Sequence, residues 1–576
     1  MNALATLPDR SPSVPRPILA PPSSPAGEQA AKSAIAKRAA QPLLPLMFSA
    51  QALMTHLPFH FPGDSDSPPS PKTSYRSQYR YLEPETLLDA GKLQGMSDLE
   101  VALRLVDFSA LRDELARIYR PSHKGQVPFD PVSMALSIGL RKEKRLSWNA
   151  TSTLLKGEEG APWRKLFGFR DGDTPSASGL RYFFGKVGPE FFDDLCPRMI
   201  DLLRGQGLFP ERSTFPGDRE ERGVSVSHDG MLHPARSRPS CQLATEECYQ
   251  PLSVDGPAAP PAPAGREGLT APRRCRAREK GLEGCSCDGP ECAQHCRRAS
   301  RLDPEARSIH YEKGNNKEGK DEKGKGIDVF GYRSIAFRVI DDRFGMAWTV
   351  WSRLYSADTD ERTIFVVELA ALRSRFPDLN LKGEFLGDSG IGYAGPLDAI
   401  WELGALRMVD IRHDKADQDL ETCLRRGYDG IGRPLCNQGY AMSPNGYDYG
   451  RRRTKWTCNQ VCRREPLREG GPTAPPSGCP YLDRPLGQVR NVGRAFLNGS
   501  LRLAREIPYG SQSWKARYGR RNMSESRNGQ IEGLGLKRMR SFGLERDRKD
   551  IQLADFLLNL RTLGRLVREA SDLADN

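Results

Sequence analysis

The stretch "GYRSIAFRVIDDRFGMAWTVWSRLY", residues 331–355, decides the fold class. Two apolar runs flank the segment DDRFG (341–345), whose polar residues and glycine are typical of a turn between strands. The stretch therefore predicts a β-hairpin.

Further strands and helices follow outwards from the hairpin. Before it, "GVSVSHDGMLHP" (223–234) alternates Val224, Val226 and His228 with polar residues, which predicts a strand that ends at Asp229. After it, the sequence predicts a helix with an acidic first turn, a strand that runs into Asp388, a second helix and a last strand, at 359–377, 381–392, 394–405 and 406–412. Strands that alternate with helices after a hairpin predict an α/β fold, in which helices flank a mixed sheet.

The region 96–210 is predicted to be helical. The segment 130–145 opens with Asp130 and Pro131, a cap followed by a proline in the first turn, and the segment 147–157 begins at a serine and stops at a glycine. Several short helices that carry basic residues are typical of a helical DNA-binding domain. A helical packing domain is the alternative.

The remaining segments set the domain boundaries. Residues 1–80 are rich in Pro and Ser, which predicts a mostly disordered arm. The α/β region spans 220–412 and contains a Cys-rich and Pro-rich insertion at 236–325. A second Cys-containing insertion covers 413–512, and residues 513–576 end in a leucine-rich helix that we expect to be buried.

Composition favours nucleic acid as the partner. The 576 residues include 86 Lys and Arg against 73 Asp and Glu, which gives a formal charge of +13. Arginine suits bidentate contact with phosphate. No apolar run is long enough to cross a bilayer, so we expect no membrane partner and a cytoplasmic, nucleoid-associated protein.

The thirteen cysteines, without a secretory signal, favour reduced thiols or metal ligands over disulfides. Cys436, Cys458, Cys462 and Cys479 could form a small subdomain stabilised by Zn²⁺, and "CSCDGPECAQHC" (285–296) is dense enough for a second zinc site. The alternative for both sets is reduced, partly exposed thiols. Cys196 lies on an apolar helix face and is predicted to be a core residue.

Two acidic residues follow predicted strands. If the strands of Asp229 and Asp388 are neighbours, their carboxylates stand side by side and repel unless cations lie between them. Hard oxygen ligands select Mg²⁺ or Mn²⁺, and two such ions can assist displacement at a phosphodiester. Glu525 is the candidate for a third carboxylate. His228 and His233 are expected to fill the strand or donate to the site rather than to bind metal.

The segment "YGRRNMSE" (518–525) spaces Tyr518, Arg521 and Glu525 so that a helix would place them on one face. Taken alone, this spacing also fits a solvated helix with an ordinary intrahelical ion pair.

With these residues in place, the chain resembles a bacterial insertion-sequence transposase with a ribonuclease-H-like catalytic core and a DDE triad. The resemblance covers most of residues 100–565. It is carried by "TPSASGLRYFFGKVG" (174–188), "SHDGMLHPA" (227–235), "DPEARSIHYEKGNN" (303–316), "DVFGYRSIAF" (328–337), "FLGDSGIG" (385–392), "GYDGIGRPLCNQGYAM" (427–442), "YDYGRRRTKWTC" (447–458) and "RRNMSESRNGQIEGLGLKRMRSFGLE" (520–545).

The resemblance implies a role for each candidate residue. Asp229, Asp388 and Glu525 would form the catalytic triad and hold Mg²⁺ or Mn²⁺, while Tyr518 and Arg521 would contact DNA phosphate. The expected partners are the terminal inverted repeats of the element and target DNA, with a homo-oligomer forming on DNA. The expected reactions are DNA cleavage and strand transfer.

One position departs from the family pattern. Many relatives carry a lysine seven residues after the glutamate, where this chain has Glu532, although Lys537 and Arg538 follow and could take its place. This departure keeps open a non-catalytic DNA-binding protein derived from a decayed transposase. A nuclease without strand transfer would share the triad and is the other alternative.

Overall fold

The computed structural model describes residues 57–59, 75–81, 95–119, 127–237, 240–241, 298–300, 302–311, 327–412, 419–435, 439–457, 489–491 and 502–574. Most of the predicted arm at 1–80 and most of the insertion at 236–325 lie outside these residues. So do all the cysteines named above for zinc, in both insertions.

The helices, numbered in chain order, are α1 (Asp98–Leu105), α2 (Leu111–Ile118), α3 (Pro131–Glu143), α4 (Trp148–Lys156), α5 (Ala161–Phe167), α6 (Ala177–Lys186), α7 (Pro189–Gly205), α8 (Glu361–Arg375), α9 (Ala394–Glu402), α10 (Leu420–Arg426), α11 (Gln512–Tyr518), α12 (Asn522–Gly533) and α13 (Leu544–Ala574). The strands are β1 (Leu57–Pro58), β2 (Val106–Asp107), β3 (Val226–Pro234), β4 (Ser240–Cys241), β5 (Arg298–Ala299), β6 (Arg307–Tyr311), β7 (Ile327–Asp341), β8 (Met346–Ser356), β9 (Glu384–Gly387), β10 (Leu406–Val409), β11 (Ser443–Asp448), β12 (Arg453–Thr457) and β13 (Val489–Asn491).

The central sheet is mixed, as the sequence predicted. Its strands lie in the order β10, β9, β3, β7, and β7 also pairs with β6 through Ile327–Gly331 and with β8 through Tyr332–Asp341. The β7–β8 hairpin and the β3–β7 pair are antiparallel, whereas β3, β9 and β10 run parallel to one another. The prediction of a mixed α/β fold is confirmed.

The prediction that the first strand ends at Asp229 is wrong. β3 begins at Val226 and continues to Pro234, because the long strand β7 pairs with every residue of it. Its other neighbour, β9, pairs only with Val226 and Ser227. Asp229 therefore lies inside β3 but just past the part of β3 that β9 covers.

Local capping explains the helix starts that the sequence indicated. The Asp130 carboxylate accepts the backbone N–H of Val132 ahead of Pro131, and the Ser147 hydroxyl accepts that of Ala150. Asp360 caps α8 in the same way, by accepting from the backbone of Arg362. Each cap satisfies an N–H that has no partner within its helix.

Residues 518–525 do not form one continuous α-helix. α11 stops at Tyr518, a 3₁₀ turn covers Gly519–Arg521, and α12 starts at Asn522. Glycine stabilises an α-helix poorly, so Gly519 is a natural place for the two helices to meet.

The helical region and the sheet share one hydrophobic core. Leu180, Phe183 and Met199 from the helices belong to the same buried cluster as Phe337 and Trp348 from the hairpin. The predicted boundary between 210 and 220 therefore separates two parts of one packed unit.

Helix α13 is largely buried, as expected of the leucine-rich C-terminal segment. It packs on β8. The Asn559 side chain donates to the carbonyl and accepts from the N–H of Thr349, at 2.8 and 2.9 Å. Gln552 donates to the Ser352 carbonyl at 2.6 Å. These side chains form hydrogen bonds with backbone groups of β8 that a neighbouring strand would otherwise pair with.

Part of the second insertion is also described. β11, β12 and β13 form a small antiparallel sheet. Across the described residues, none of the helices has both the length and the apolar character that crossing a membrane requires.

Candidate active site

The sheet register brings the first two acids together. Ser227 on β3 pairs with Leu386 on the parallel strand β9, and Asp229 and Asp388 each lie two residues further along. The two aspartates therefore face each other across neighbouring strands, as the sequence analysis expected. Asp229 is buried, whereas the Asp388 side chain is 48% exposed where the chain leaves β9.

The third acid, Glu525, reaches the same place from α12. Its carboxylate lies 2.5 Å from Nη1 of Arg521, and Nη2 of Arg521 lies 3.7 Å from Asp229 and 3.8 Å from Asp388. One guanidinium thus bridges all three predicted triad residues. The sequence indicated its pairing with Glu525 but not its place between the aspartates.

Another residue of α12 contacts the site directly. The Asn528 amide donates to Oδ2 of Asp229 at 2.7 Å. Arg521, Glu525 and Asn528 follow one another at helical spacing, so one face of the segment meets the sheet edge. No sequence pattern singled out Asn528, although its spacing from Glu525 could have indicated it.

A buried ion pair fixes the position of α12. The guanidinium of Arg527 donates to both oxygens of Asp555 on α13, at 2.6 and 2.7 Å, and both side chains are fully buried. Arg338 on β7 also donates to the Met523 carbonyl at 2.6 Å. These contacts tie α12 to α13 and the sheet on the side away from the acids.

A second charged cluster holds the segment before α12. Glu384, at the start of β9, is buried and accepts hydrogen bonds from Arg517, Arg520 and Arg222. Because β9 leads directly into Asp388, this cluster connects the position of the second acid to the segment that carries Arg521.

Tyr518 lies against the protein. Its ring stacks on Trp514 with centroids 4.2 Å apart, and its hydroxyl donates to the Gly387 carbonyl at 3.3 Å. Gly387 directly precedes Asp388, so in this conformation Tyr518 supports the turn that carries the second acid.

The structure adds a fourth carboxylate, Glu361, at the first position of α8. A Cβ placed on Gly230 would lie 2.8 Å from Oε1 of Glu361, and one placed on Gly390 would lie 3.7 Å from its Oε2. The glycines that follow Asp229 and Asp388 therefore leave space for this side chain. In the sequence, Glu361 looks like an ordinary first-turn acid.

The surroundings shift the pKa values of two of these acids. Burial raises the pKa of Glu361 to about 7; Arg333, which donates to it at 2.7 Å, opposes the shift, and Asp388 and Asp229 add to it. Burial also raises the pKa of Asp229, with Arg521 opposing and Asp388 contributing. Both shifts reflect carboxylates crowded together away from water.

The two histidines fill structural positions. His233 donates from Nδ1 to the Leu536 carbonyl and accepts at Nε2 from the Ser334 hydroxyl, both at 2.8 Å. Both ring nitrogens are occupied, which confirms that His233 is a structural residue. His228 packs between Phe337 and Phe365, and burial lowers its pKa to about 4.

The residues after α12 turn away from the acids. Lys537 pairs with Glu532 at 3.2 Å, and Arg538 donates to the Ala235 carbonyl at 3.1 Å. Both basic residues therefore have partners within the protein where they lie.

The donor set suits a hard divalent cation, because the three acids around the Arg521 guanidinium offer carboxylate oxygens. As arranged, however, no group of three or more His, Cys, Asp or Glu side chains in the described part of the chain could hold a metal ion. The guanidinium fills the centre between the acids.

Neither a scan against models of known protein families nor a search of curated proteins finds a match to this chain. Its function must therefore be inferred from the chemistry of its own residues.

Proposed function

We propose that this protein is a DDE transposase, which binds the ends of its element and catalyses metal-dependent cleavage and strand transfer of DNA. One observation carries the proposal: the carboxylates of Asp229, Asp388 and Glu525 all contact the guanidinium of Arg521. The two aspartates come from neighbouring strands and the glutamate from a separate helix. A solvated helix with an intrahelical pair would not bring Arg521 to Asp229 and Asp388.

The strand order supports a ribonuclease-H-like core. An antiparallel run of β3, β7 and β8 is followed by β9 and β10, which add in parallel on the other side of β3. In chain order, Asp229 lies on the first of these five strands and Asp388 directly follows the fourth, which supports the assignment of the two aspartates.

Each residue has a chemical task under this proposal. Asp229, Asp388 and Glu525 would hold Mg²⁺ or Mn²⁺, which supplies positive charge for the oxygens that become negative at the phosphate. Asn528 orients the Asp229 carboxylate. Arg521, with its planar fork of donors, would bind a phosphate oxygen of the DNA strand.

The exposed face of α6 supports DNA as the partner. Leu180, Phe183 and Phe184 are buried, while the opposite side exposes Ser178, Arg181, Tyr182 and Lys186. Tyr182 is 57% exposed, and no acidic residue occurs between Asp173 and Glu190. A basic helix face with an exposed aromatic ring suits contact with a nucleic acid.

The test is incubation of the full-length protein with a genomic fragment that carries its gene and both flanking sequences, with Mg²⁺. We expect Mg²⁺-dependent cuts at fixed positions outside the gene, and none with Asp229→Asn. Because two ends must be cut and joined, we also expect the protein to assemble as a homo-oligomer on this DNA.

The outcomes separate the proposal from its alternatives. Binding to the fragment without any cleavage would indicate the non-catalytic DNA-binding protein. Cleavage without joining of the freed 3′ ends to other DNA would indicate a nuclease. Cleavage that persists at the same rate in Asp229→Asn would overturn the assignment of the site.

A further inference from the structure

Arg521 occupies the position between the acids that a bound cation would need. Its side chain is 16% exposed and contacts the carboxylates of Asp229, Asp388 and Glu525. Three converging carboxylates repel one another unless positive charge lies between them. In this conformation the chain supplies that charge itself.

A guanidinium and a divalent ion cannot share this centre. Both are positive, and both need the same carboxylate oxygens. A metal ion therefore binds only after Arg521 has moved away from these oxygens.

The Arg521 guanidinium has an unsatisfied hydrogen-bond donor in this position. Its Nε is buried, and no hydrogen-bond partner for it exists among the residues that the structure describes. A buried donor without a partner lowers the stability of the conformation that holds it. A phosphate group would accept hydrogen bonds from the same fork and carry a compensating charge.

The backbone at Arg521 is also suited to movement. Gly519–Arg521 form a 3₁₀ turn between two α-helices, and a Cβ added to Gly519 would meet nothing within 4 Å. A short 3₁₀ segment between helices often marks a hinge. The neighbours Arg517 and Arg520 are anchored to Glu384, so the movement would be confined to the Arg521 side chain.

We propose that Arg521 is a tethered counter-ion that keeps the divalent metal out of the site until a DNA phosphate draws it away. Metal binding and DNA binding are then positively coupled, and the acids gain their metal only when substrate is present. This inference rests on the proposed function, since it assigns regulation to the same site.

The test measures Mn²⁺ binding by the full-length protein, by titration calorimetry and by the electron spin resonance signal of free Mn²⁺. Mn²⁺ binding at this site is identified as the fraction of total Mn²⁺ binding that the Asp229→Asn substitution abolishes. Each protein is titrated alone and with a duplex that carries the flanking sequence of the gene. Arg521→Gln removes the charge, and Arg521→Lys keeps it.

We expect Arg521→Gln without DNA to bind Mn²⁺ about tenfold more tightly than the wild type, within the usual range of coupling between sites. DNA should tighten Mn²⁺ binding by the wild type and change that of Arg521→Gln little. Arg521→Lys should bind Mn²⁺ as weakly as the wild type. Arg373→Gln controls for the loss of one charge, because Arg373 is exposed about 18 Å along α8 from Glu361.

One result would overturn the inference and leave the proposed function intact: Arg521→Gln binds Mn²⁺ no more tightly than the wild type, and Asp229→Asn still abolishes that binding. If no protein binds Mn²⁺ at this site even with DNA, and the wild type cuts no DNA, the proposed function fails as well.

Discussion

Each acid of the site is held by a different partner. The Asn528 amide donates to Asp229, the backbone N–H of Gly390 donates to Asp388, and Arg521 pairs with Glu525. The first contact fixes a buried carboxylate, whereas the other two acids are about half exposed. The site thus combines one rigid carboxylate with two that are open to solvent.

Asn528→Ala should lower the cleavage rate by about 10- to 100-fold, because partners that orient metal-ligating carboxylates typically contribute that much. Binding to DNA should stay within about twofold of the wild type, since Asn528 faces Asp229. Single-turnover cleavage and fluorescence anisotropy measure the two effects. Gln530→Ala, at an exposed position of the same helix, is the control. Equal cleavage rates for the two variants would refute this role of Asn528.

Arg527→Met should lower the free energy of unfolding by about 3–5 kcal/mol, because it leaves the buried carboxylate of Asp555 without its partner. The double variant Arg527→Met/Asp555→Leu should recover much of this loss, since no buried charge remains. Urea denaturation followed by fluorescence compares them. Arg565→Met breaks a surface pair and should change the stability by less than about 1 kcal/mol. A single variant as stable as this control would show that the pair does not anchor α12.

At the scale of the elements, the sequence predicted which strands and helices exist better than how they meet. The hairpin, the strand before Asp388 and the caps at Asp130 and Ser147 all form as expected, because turn residues, apolar runs and caps act locally. The predicted end of β3 was wrong, because pairing with β7 extends the strand and no local sequence pattern shows that pairing.

Some contacts of the candidate site could be predicted from the sequence, and others could not. The sequence indicated that Asp229 and Asp388 each belong to a strand and would meet if those strands were neighbours, and the pairing of β3 with β9 meets that condition. Glu361 could not, because its place depends on how the start of α8 packs beside Gly230 and Gly390. The spacing of Arg521 and Glu525 predicted their ion pair, but the contacts of Arg521 with the aspartates arise only from tertiary packing.

The first turn of α13 carries a pH-dependent element. Asp547 is fully buried, and burial together with the nearby Asp550 and Asp303 raises its pKa to about 8. Between pH 4 and pH 8 the folded protein therefore binds a proton that the unfolded chain releases, and stability falls as the pH rises through this range.

Asp547→Asn lacks this titration and should gain stability relative to the wild type as the pH rises. The difference in unfolding free energy should be small at pH 4 and reach a few kcal/mol near pH 8. Melting temperatures of both proteins across this range provide the measurement. A difference that stays constant with pH would contradict the account of Asp547.

At the scale of the whole molecule, the shared core places a basic helix and an acidic site on one packed unit. Under the proposed function, cleavage would need both the α6 face to hold DNA and the sheet edge to act on it. Because the exposed residues of α6 lie outside the shared buried cluster, substitutions there should leave the site intact.

Arg181→Ala/Lys186→Ala should weaken binding to duplex DNA and flatten its salt dependence, because each lost phosphate contact lowers the slope of log affinity against log salt by about one. Arg373→Ala, at an exposed position on α8, is the matched control. Anisotropy titrations at several salt concentrations test this. An unchanged slope would mean that α6 does not contact phosphate and that the helical region serves packing alone.

The most direct measurement of the central claim is a strand-transfer assay. It uses a duplex with a preformed 3′-hydroxyl end from the flanking sequence, a supercoiled plasmid as target, and Mg²⁺ or Mn²⁺. We predict that the wild type joins the end to the plasmid, and that Asp388→Asn binds the same duplex but loses joining by orders of magnitude. Joining by Asp388→Asn at the wild-type rate would contradict the assignment of Asp229, Asp388 and Glu525 as a metal-dependent catalytic site.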